Sequence, residues 1–308
     1  MSRGVVLLNM GGPNNLNEVE LFLTNMFNDE NILTIKSSLL RSFIAKIITL
    51  SRKKEATHNY ETLGGKSPLV DYTFKLQEKL KNLTNSEVVF AMRYTPPFAK
   101  EAISKLREKG VKELILIPLY PQYSTTTTKS SIEDFLKEAK HYFHKIDIVY
   151  RFYEDKLYNE SLIKTIKEAL DDKNSKEFHL IYSAHSLPQK IVDAGDPYEE
   201  EVTKHVEILN TLLKENDLTF ASSSIAYQSK LGPVKWLEPE LAEVLKDKKD
   251  KNLLIVPLSF TIDNSETEYE LSIEYKEVAK EIGVNEYLVA KCPNDSNLFV
   301  KFLANLIS

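Results

Sequence analysis

Leu114-Ile115-Leu116-Ile117-Pro118-Leu119-Tyr120 is echoed by Leu253-Leu254-Ile255-Val256-Pro257-Leu258-Ser259. Each is a short apolar run that passes through a proline into a polar loop and then into sequence of helical period. Working outward, strand-like runs fall near 4–9, 87–92, 113–119 and 146–150, then near 178–184, 219–225, 252–259 and 286–289. Helical period fills the intervals 68–82, 98–109, 129–142, 156–170, 197–215, 238–248 and 265–281. This is the βαβ rhythm of parallel sheets flanked by helices. The two sets of four read as a repeat dividing near residue 150, which predicts an α/β fold with domains 1–150 and 151–308. At 308 residues the chain is long for a single core, in keeping with two domains.

The totals exclude several classes of function. A formal net charge of −5 argues against a general nucleic-acid binder, which needs clustered cationic side chains. Cys292 is the only cysteine, so one chain can form no internal disulfide, thiolate zinc site or cysteine-ligated iron–sulfur cluster. A reducing cytoplasm is the expected compartment. The N-terminal apolar stretch is too short for a signal peptide, and no run approaches a membrane span.

In open parallel sheets, ligands bind beyond the carboxyl ends of the strands, and those ends carry Met10, Arg93, Tyr120 to Ser124, His185, Tyr227 and Asp263 to Glu266. On this reading two sheets close on one ligand. His185, in Ser183-Ala184-His185-Ser186-Leu187-Pro188, is the candidate for metal binding or proton transfer near neutral pH; the bland alternative is a core histidine satisfied by backbone. Glu266 has a competing explanation as the N3 residue of a capping box in Asp263-Asn264-Ser265-Glu266. Glu266, Glu270 and Glu274 recur every four residues on one helical face, as a wet surface row or a relay for cations and protons. Asn9-Met10-Gly11-Gly12-Pro13 lacks the dinucleotide spacing and reads as turn chemistry; Ser67-Pro68 reads as an N-cap and N1 pair. The loop from Tyr227 to Pro239 holds the only tryptophan, Trp236, and a planar ligand gives Tyr227 and Trp236 a use in stacking.

Between Asn31 and Lys54 there is no acidic residue, while Lys36, Arg41, Lys46, Arg52, Lys53 and Lys54 are basic and Leu39, Leu40, Phe43, Ile44, Ile47 and Ile48 recur at helical spacing. Either this helix packs on the body with a solvated basic face, or it forms a lip over an apolar anionic ligand that also touches anionic lipid through 35–54.

The ordered series Leu8-Asn9-Met10-Gly11-Gly12-Pro13, Gly64 to Leu69, Met92-Arg93-Tyr94, Leu119 to Ser124, Ser183 to Pro188, Gly195-Asp196-Pro197-Tyr198, Tyr227 to Pro233 and Asp263 to Tyr275 resembles the ferrochelatases, in their short bacterial form, over nearly the whole chain. The resemblance implies two similar Rossmann-like domains of the class II chelatase kind, each a four-stranded parallel sheet flanked by helices, with a porphyrin held in the cleft between them. It implies a porphyrin-covering lip near 31–56 and a last helix, about 296–306, packed back on the first domain. His185 corresponds to the family's active-site histidine and Glu266 to its paired carboxylate, both as catalytic groups and as metal ligands. Met10, Arg52, Tyr60, Arg93, Tyr123 and Trp236 correspond to pocket residues, while Glu270 is read from its spacing on the face of Glu266 as a proton or metal relay. One departure stands out: Asn264 occupies a position where many relatives have a second histidine.

The function so implied is insertion of Fe2+ into a free-base porphyrin, protoporphyrin IX before coproporphyrin, with release of two protons in haem biosynthesis. Iron and porphyrin are substrates, no cofactor is permanently bound, and no iron–sulfur cluster is expected. The protein is expected in the cytoplasm, with peripheral contact at the inner membrane face. Two alternatives are kept, a non-catalytic porphyrin or haem carrier and a cobalt or nickel chelatase of a related pathway. An imidazole and a carboxylate suit the task because they bind ferrous iron without the grip of thiolates and so release it to the macrocycle. In this scheme His185 takes pyrrole protons or shares the iron with Glu266 across the cleft. Arg52 and Arg93 pair with propionates, and Met10, Tyr123 and Trp236 hold a bent ring.

Overall fold

The computed structural model describes residues 3–307, which divide into two compact units, 3–151 with 303–307 and Phe152–Phe302. In the first unit the elements run β1 (Arg3–Asn9), α1 (Val19–Phe27), α2 (Ser38–Thr62), α3 (Leu69–Thr84), β2 (Glu87–Met92), α4 (Ala99–Glu108), β3 (Glu113–Pro118), a π-helical segment Thr125–Lys129, α5 (Ser130–Ala139) and β4 (Lys145–Ile148). The second runs α6 (Lys156–Leu170), β5 (Phe178–His185), α7 (Gln189–Asp193), α8 (Tyr198–Glu215), β6 (Ser222–Gln228), α9 (Leu241–Lys246), β7 (Asn252–Pro257), a π-helical segment Glu266–Glu274, α10 (Tyr275–Ile282), β8 (Glu286–Val289) and α11 (Asn297–Ile307). The last turns of α11 belong to the first unit.

All strand pairs are parallel, and the orders β2-β1-β3-β4 and β6-β5-β7-β8 are the same topology twice. The central strands are buried on both faces: Val5 to Leu8 and Leu253 to Val256 all lie within 2% of full burial, which is why they read as continuous apolar runs. Each such side chain contributes about 1.5–3 kcal/mol on leaving water. Helices complete the layers through faces of 3.6 period, as with Leu69, Thr73, Leu76 and Leu80 in α3 or Ala99, Ala102, Ile103 and Leu106 in α4. Each unit has its own core cluster, one around Leu114, Leu116 and Phe135, the other around Ile181, Leu253 and Ile255.

Three expectations are adjusted. Strand β6 starts at Ser222 rather than near 219 and runs on to Gln228; as an edge strand its first residues, Ser222-Ser223-Ser224, are partly exposed and polar, and they hide the strand from a hydrophobicity reading. Helix α1 is absent from the helices read by period. Residues 265–281 begin as a π-helix, a rarer coil found mostly at functional sites.

The glycine turn after β1 is explained by packing. Gly11 has φ +87°, and a Cβ on Gly12 would meet Ser67 at 2.6 Å. The Ser67 hydroxyl accepts from the Leu69 N–H at 3.3 Å, the expected cap of α3.

Candidate active site

The site is assembled where β5, β6 and β7 end. His185 is the last residue of β5, and its backbone is clamped there: its N–H donates to the Ser259 hydroxyl at 3.3 Å and its C=O accepts from the Tyr198 hydroxyl at 2.9 Å. Those two hydroxyls are themselves 2.6 Å apart. The ring is oriented as well. Nδ1 lies 2.6 Å from the Ser186 carbonyl, which can only accept, so Nδ1 carries a proton and Nε2 is the reactive nitrogen.

Nε2 faces Glu266 Oε1 at 3.0 Å. Burial pulls the His185 imidazole down. The charge and hydrogen bond of Glu266, the Ser186 carbonyl and the more distant Glu270 outweigh it and raise the imidazole to about 9. Near neutral pH the pair is therefore an imidazolium against a carboxylate. The other carboxylate oxygen of Glu266, Oε2, is buried without a hydrogen-bond partner. An acceptor left so is costly unless a proton or cation visits it.

Glu266 opens the π-helix, and Asn264 caps that opening: its Oδ1 accepts from the Glu266 N–H at 2.7 Å while its Nδ2 donates to the Ile262 carbonyl at 3.1 Å. Asp263 is occupied elsewhere, accepting from the Asn294 amide, the Cys292 N–H and the Thr267 hydroxyl. The capping box proposed for Asp263 and Glu266 is thus not formed. Asn264 serves the backbone of its own turn.

Glu270 does not stand in an open row of carboxylates. Oε1 accepts from the Ser229 N–H at 2.9 Å and Oε2 from the Ser229 hydroxyl at 2.5 Å and the Gln228 amide at 3.2 Å. These bonds hold Ser229 at φ +65°, a conformation unfavourable for a residue with a Cβ. Burial, then the nearby Glu266 charge, pushes Glu270 up to about 7 despite those donors.

The remaining expected site residues take varied places. Trp236 pairs antiparallel with Pro188, just beyond His185, and its indole N–H is buried without a partner. Tyr227 is 3% exposed, a core residue, so the stacking role considered for it is withdrawn. Met10 follows the end of β1, and by strand register it is the first unit's counterpart of His185, since Leu8 pairs with Pro118 as Ser183 pairs with Pro257. Tyr123 packs near Tyr150 with the Arg151 guanidinium 5.7 Å above its ring. Arg52 is at the surface, 3.7 Å from Glu55, and Tyr60 is buried.

Arg93 departs from its expected role as a propionate partner. Its guanidinium reaches Asp29 and Asp134 at 3.2 Å each and donates to the Ser130 hydroxyl at 3.0 Å, while Asp29, 3% exposed, also accepts from Tyr94 and Ser130. The guanidinium holds its own unit together. His185 and Glu266 both belong to the second unit, as expected, but they do not face each other over an open gap: they are in contact at 3.0 Å. Gln228, Ser183, Tyr198, Ser259 and Ser229 fall within the sequence motifs, yet none carries an expected role. The strand-end rule applied to β6 points to Gln228 and Ser229.

Among solved structures, the chain is similar to SirB from Bacillus subtilis with Fe3+, at TM-score 0.59 and 12% identity over 100% of this chain and 94% of that one. It is similar also to CbiX, the terminal enzyme for biosynthesis of siroheme in denitrifying bacteria, at TM-score 0.55 and 12% identity over 100% and 98%. At that identity the likeness shows the fold, so the class is the doubled parallel α/β architecture shared with these chelatase structures. Sequence comparison is more specific. The Ferrochelatase family model matches residues 2–308. Relatives named ferrochelatase include those of a Nitratiruptor species, 58% identical over 99% of this chain and 98% of that protein, and of Sulfurimonas denitrificans, 51% identical over 98% and 97%. The chain belongs to the ferrochelatase family.

Proposed function

We propose that the protein is a lyase of haem biosynthesis that inserts Fe2+ into a free-base porphyrin, Fe2+ displacing two pyrrole N–H protons. The observation that carries this reading is the oriented pair at the end of β5, Nε2 of His185 at 3.0 Å from Glu266 with Oε2 of Glu266 buried and unpartnered. Family membership and the match over nearly the full length of the relatives support the same reaction.

Nε2 can hold a proton or a metal ion but not both. Because Glu266 raises the imidazole to about 9, His185 enters the reaction protonated near neutral pH. Its first act is to give up that proton, before it takes a pyrrole proton or shares the incoming iron. Glu270 at about 7 is matched to accept protons, but its oxygens already receive Ser229 and Gln228, so we assign it to proton uptake rather than iron ligation. A site of one imidazole and carboxylate oxygens holds ferrous iron weakly enough to surrender it to four pyrrole nitrogens.

We assign Met10, Tyr123 and Trp236 to packing on the macrocycle and Arg52 to a propionate in place of Glu55; Tyr60, 4% exposed, is withdrawn on the same ground as Tyr227. Protoporphyrin IX is the proposed substrate. No described helix is long and apolar enough to cross a membrane. For α2 we propose peripheral contact with anionic lipid at the cytoplasmic face, since Leu39, Phe43, Ile47 and Leu50 are 84, 64, 53 and 60% exposed beside Lys46, Lys53 and Lys54.

Anaerobic single-turnover absorbance with Fe2+ and protoporphyrin IX tests the assignment. The His185→Ala protein should bind porphyrin yet show no metalation. Metalation at the wild-type rate would remove the assignment, and running coproporphyrin, cobalt and nickel beside the physiological pair tests the substrate choice. Tight porphyrin binding without metalation by the unaltered protein would favour a carrier.

A further inference from the structure

Gln228, the last residue of β6, is 0% exposed, and both the oxygen and the nitrogen of its side-chain amide are engaged. Its Oε1 accepts from the Ser183 hydroxyl at 2.6 Å, and Ser183 lies two residues before His185 on β5. Its Nε2 donates to the Glu266 carbonyl and to the Glu270 carboxylate, both at 3.2 Å. One amide therefore spans from the histidine's strand to the first turn of the glutamate's helix.

We propose that Gln228 is a positioning residue that sets the separation of His185 and Glu266, with Ser183 anchoring its amide oxygen to the histidine's strand. The inference deepens the reading of this pair as the metalation site and rests on it. The direction matters because an inverted amide would aim its carbonyl at a second carbonyl and at a carboxylate. The Glu266 carbonyl and Glu270 carboxylate only accept and so turn the amide nitrogen toward them, while the Ser183 hydroxyl satisfies Oε1 by donating to it. The amide is neutral, so it ties the helix down without adding a charge that would compete for iron. A lysine or arginine there would pair with Glu270 and repel the metal; an acid would repel Glu270.

The repeat supplies independent support. Asn9 pairs with Met92 in the first unit as Ala184 pairs with Tyr227 in the second, so Arg93 occupies the register position of Gln228. Arg93 likewise reaches across to the helix that follows the neighbouring π-helical segment, donating to Ser130 at 3.0 Å and pairing with Asp134 at 3.2 Å. The same strand end thus reaches past the neighbouring strand's loop in both units, to the π-helical segment itself in the second and to the helix after it in the first. Only in the second unit does the fastened helix carry a carboxylate against an imidazole, and only there is the fastener uncharged.

The test compares Gln228→Leu, close in volume but without hydrogen bonds, with Ser183→Ala, which removes only the orienting hydroxyl. Rates are expressed per porphyrin-binding site, counted by fluorescence titration, so that loss of folded protein does not count as loss of catalysis. For Gln228→Leu we expect kcat for metalation to fall at least tenfold with the KM for porphyrin within twofold of wild type. Ser183→Ala should shift kcat in the same direction by about threefold or more. If Gln228→Leu yields no porphyrin-binding protein, Ser183→Ala decides. Wild-type kcat per site in Ser183→Ala, or a Gln228→Leu defect confined to KM, overturns the positioning role. These outcomes are separate from the broader reading: if His185→Ala retains metalation, the site assignment fails, whereas if His185→Ala is inactive and both new variants are normal, the role of Gln228 alone fails.

Discussion

A single carboxylate decides how the imidazole behaves. Desolvation lowers the half-buried His185 imidazole, and chiefly Glu266, at 3.0 Å, carries it to about 9. Glu266→Gln should therefore bring the imidazole down by more than one pH unit, read by NMR titration of the His185 ring, and slow metalation by about 10²-fold or more, the usual scale of a lost acid–base partner. Full activity in that variant would return Glu266 to a purely structural role. Linkage has a definite sign here. A folded-state value raised from 6.5 to about 9 contributes stability that is present below pH 6.5 and is lost as pH rises toward 9.

Among the elements, α2 and α5 show opposite uses of charge. Helix α2 was expected either to pack its apolar residues on the body or to present them as a lip. It packs through Ala45, Thr49 and Tyr60 and leaves Leu39, Phe43 and Ile47 outward. Replacing Leu39, Phe43 and Ile47 with serine should change stability by less than about 1 kcal/mol, because exposed side chains lose little on substitution. The same variant should lose co-sedimentation with anionic vesicles, and retained binding would place any lipid contact elsewhere. Helix α5 is instead held through Arg93, which links it to β2 and to Asp29. Arg93→Leu strands a buried carboxylate, so urea unfolding should register a loss of about 3–5 kcal/mol. A loss under about 1 kcal/mol, the range of an ordinary surface change, with weakened porphyrin binding would restore the propionate role.

Across the whole molecule, acid stability should be governed by histidines in opposite senses. His205 is 0% exposed within α8, 2.8 Å from the Asn159 amide oxygen, and burial brings it down to about 3. The unfolded chain binds this proton below pH 6.5 and the folded chain does not. Stability contributed by neutral His205 is then present above pH 6.5 and lost as pH falls toward 3, with a slope of up to about 1.4 kcal/mol per pH unit. Urea melts between pH 4.5 and 7, at roughly half-unit spacing, should show this slope in the wild type and a flatter one in His205→Gln. Equal slopes would mean that another group controls acid unfolding.

The α/β class, the two sets of four parallel strands and the candidacy of His185 and Glu266 were legible in the sequence, because burial on both faces of a parallel sheet forces continuous apolar runs and strand ends mark where ligands meet backbone; the strand order was not. Tertiary structure decided that Glu266 is not spent on a capping box, that Tyr227 is core, that Arg93 is paired with Asp29 and Asp134 and that Gln228 joins Ser183 to the π-helix. The physical reason is reach. Hydrophobic period reports which face of an element is buried, but hydrogen bonds a few ångströms long between residues distant in the chain depend on strand register and helical phase, which exist only once the sheet is assembled.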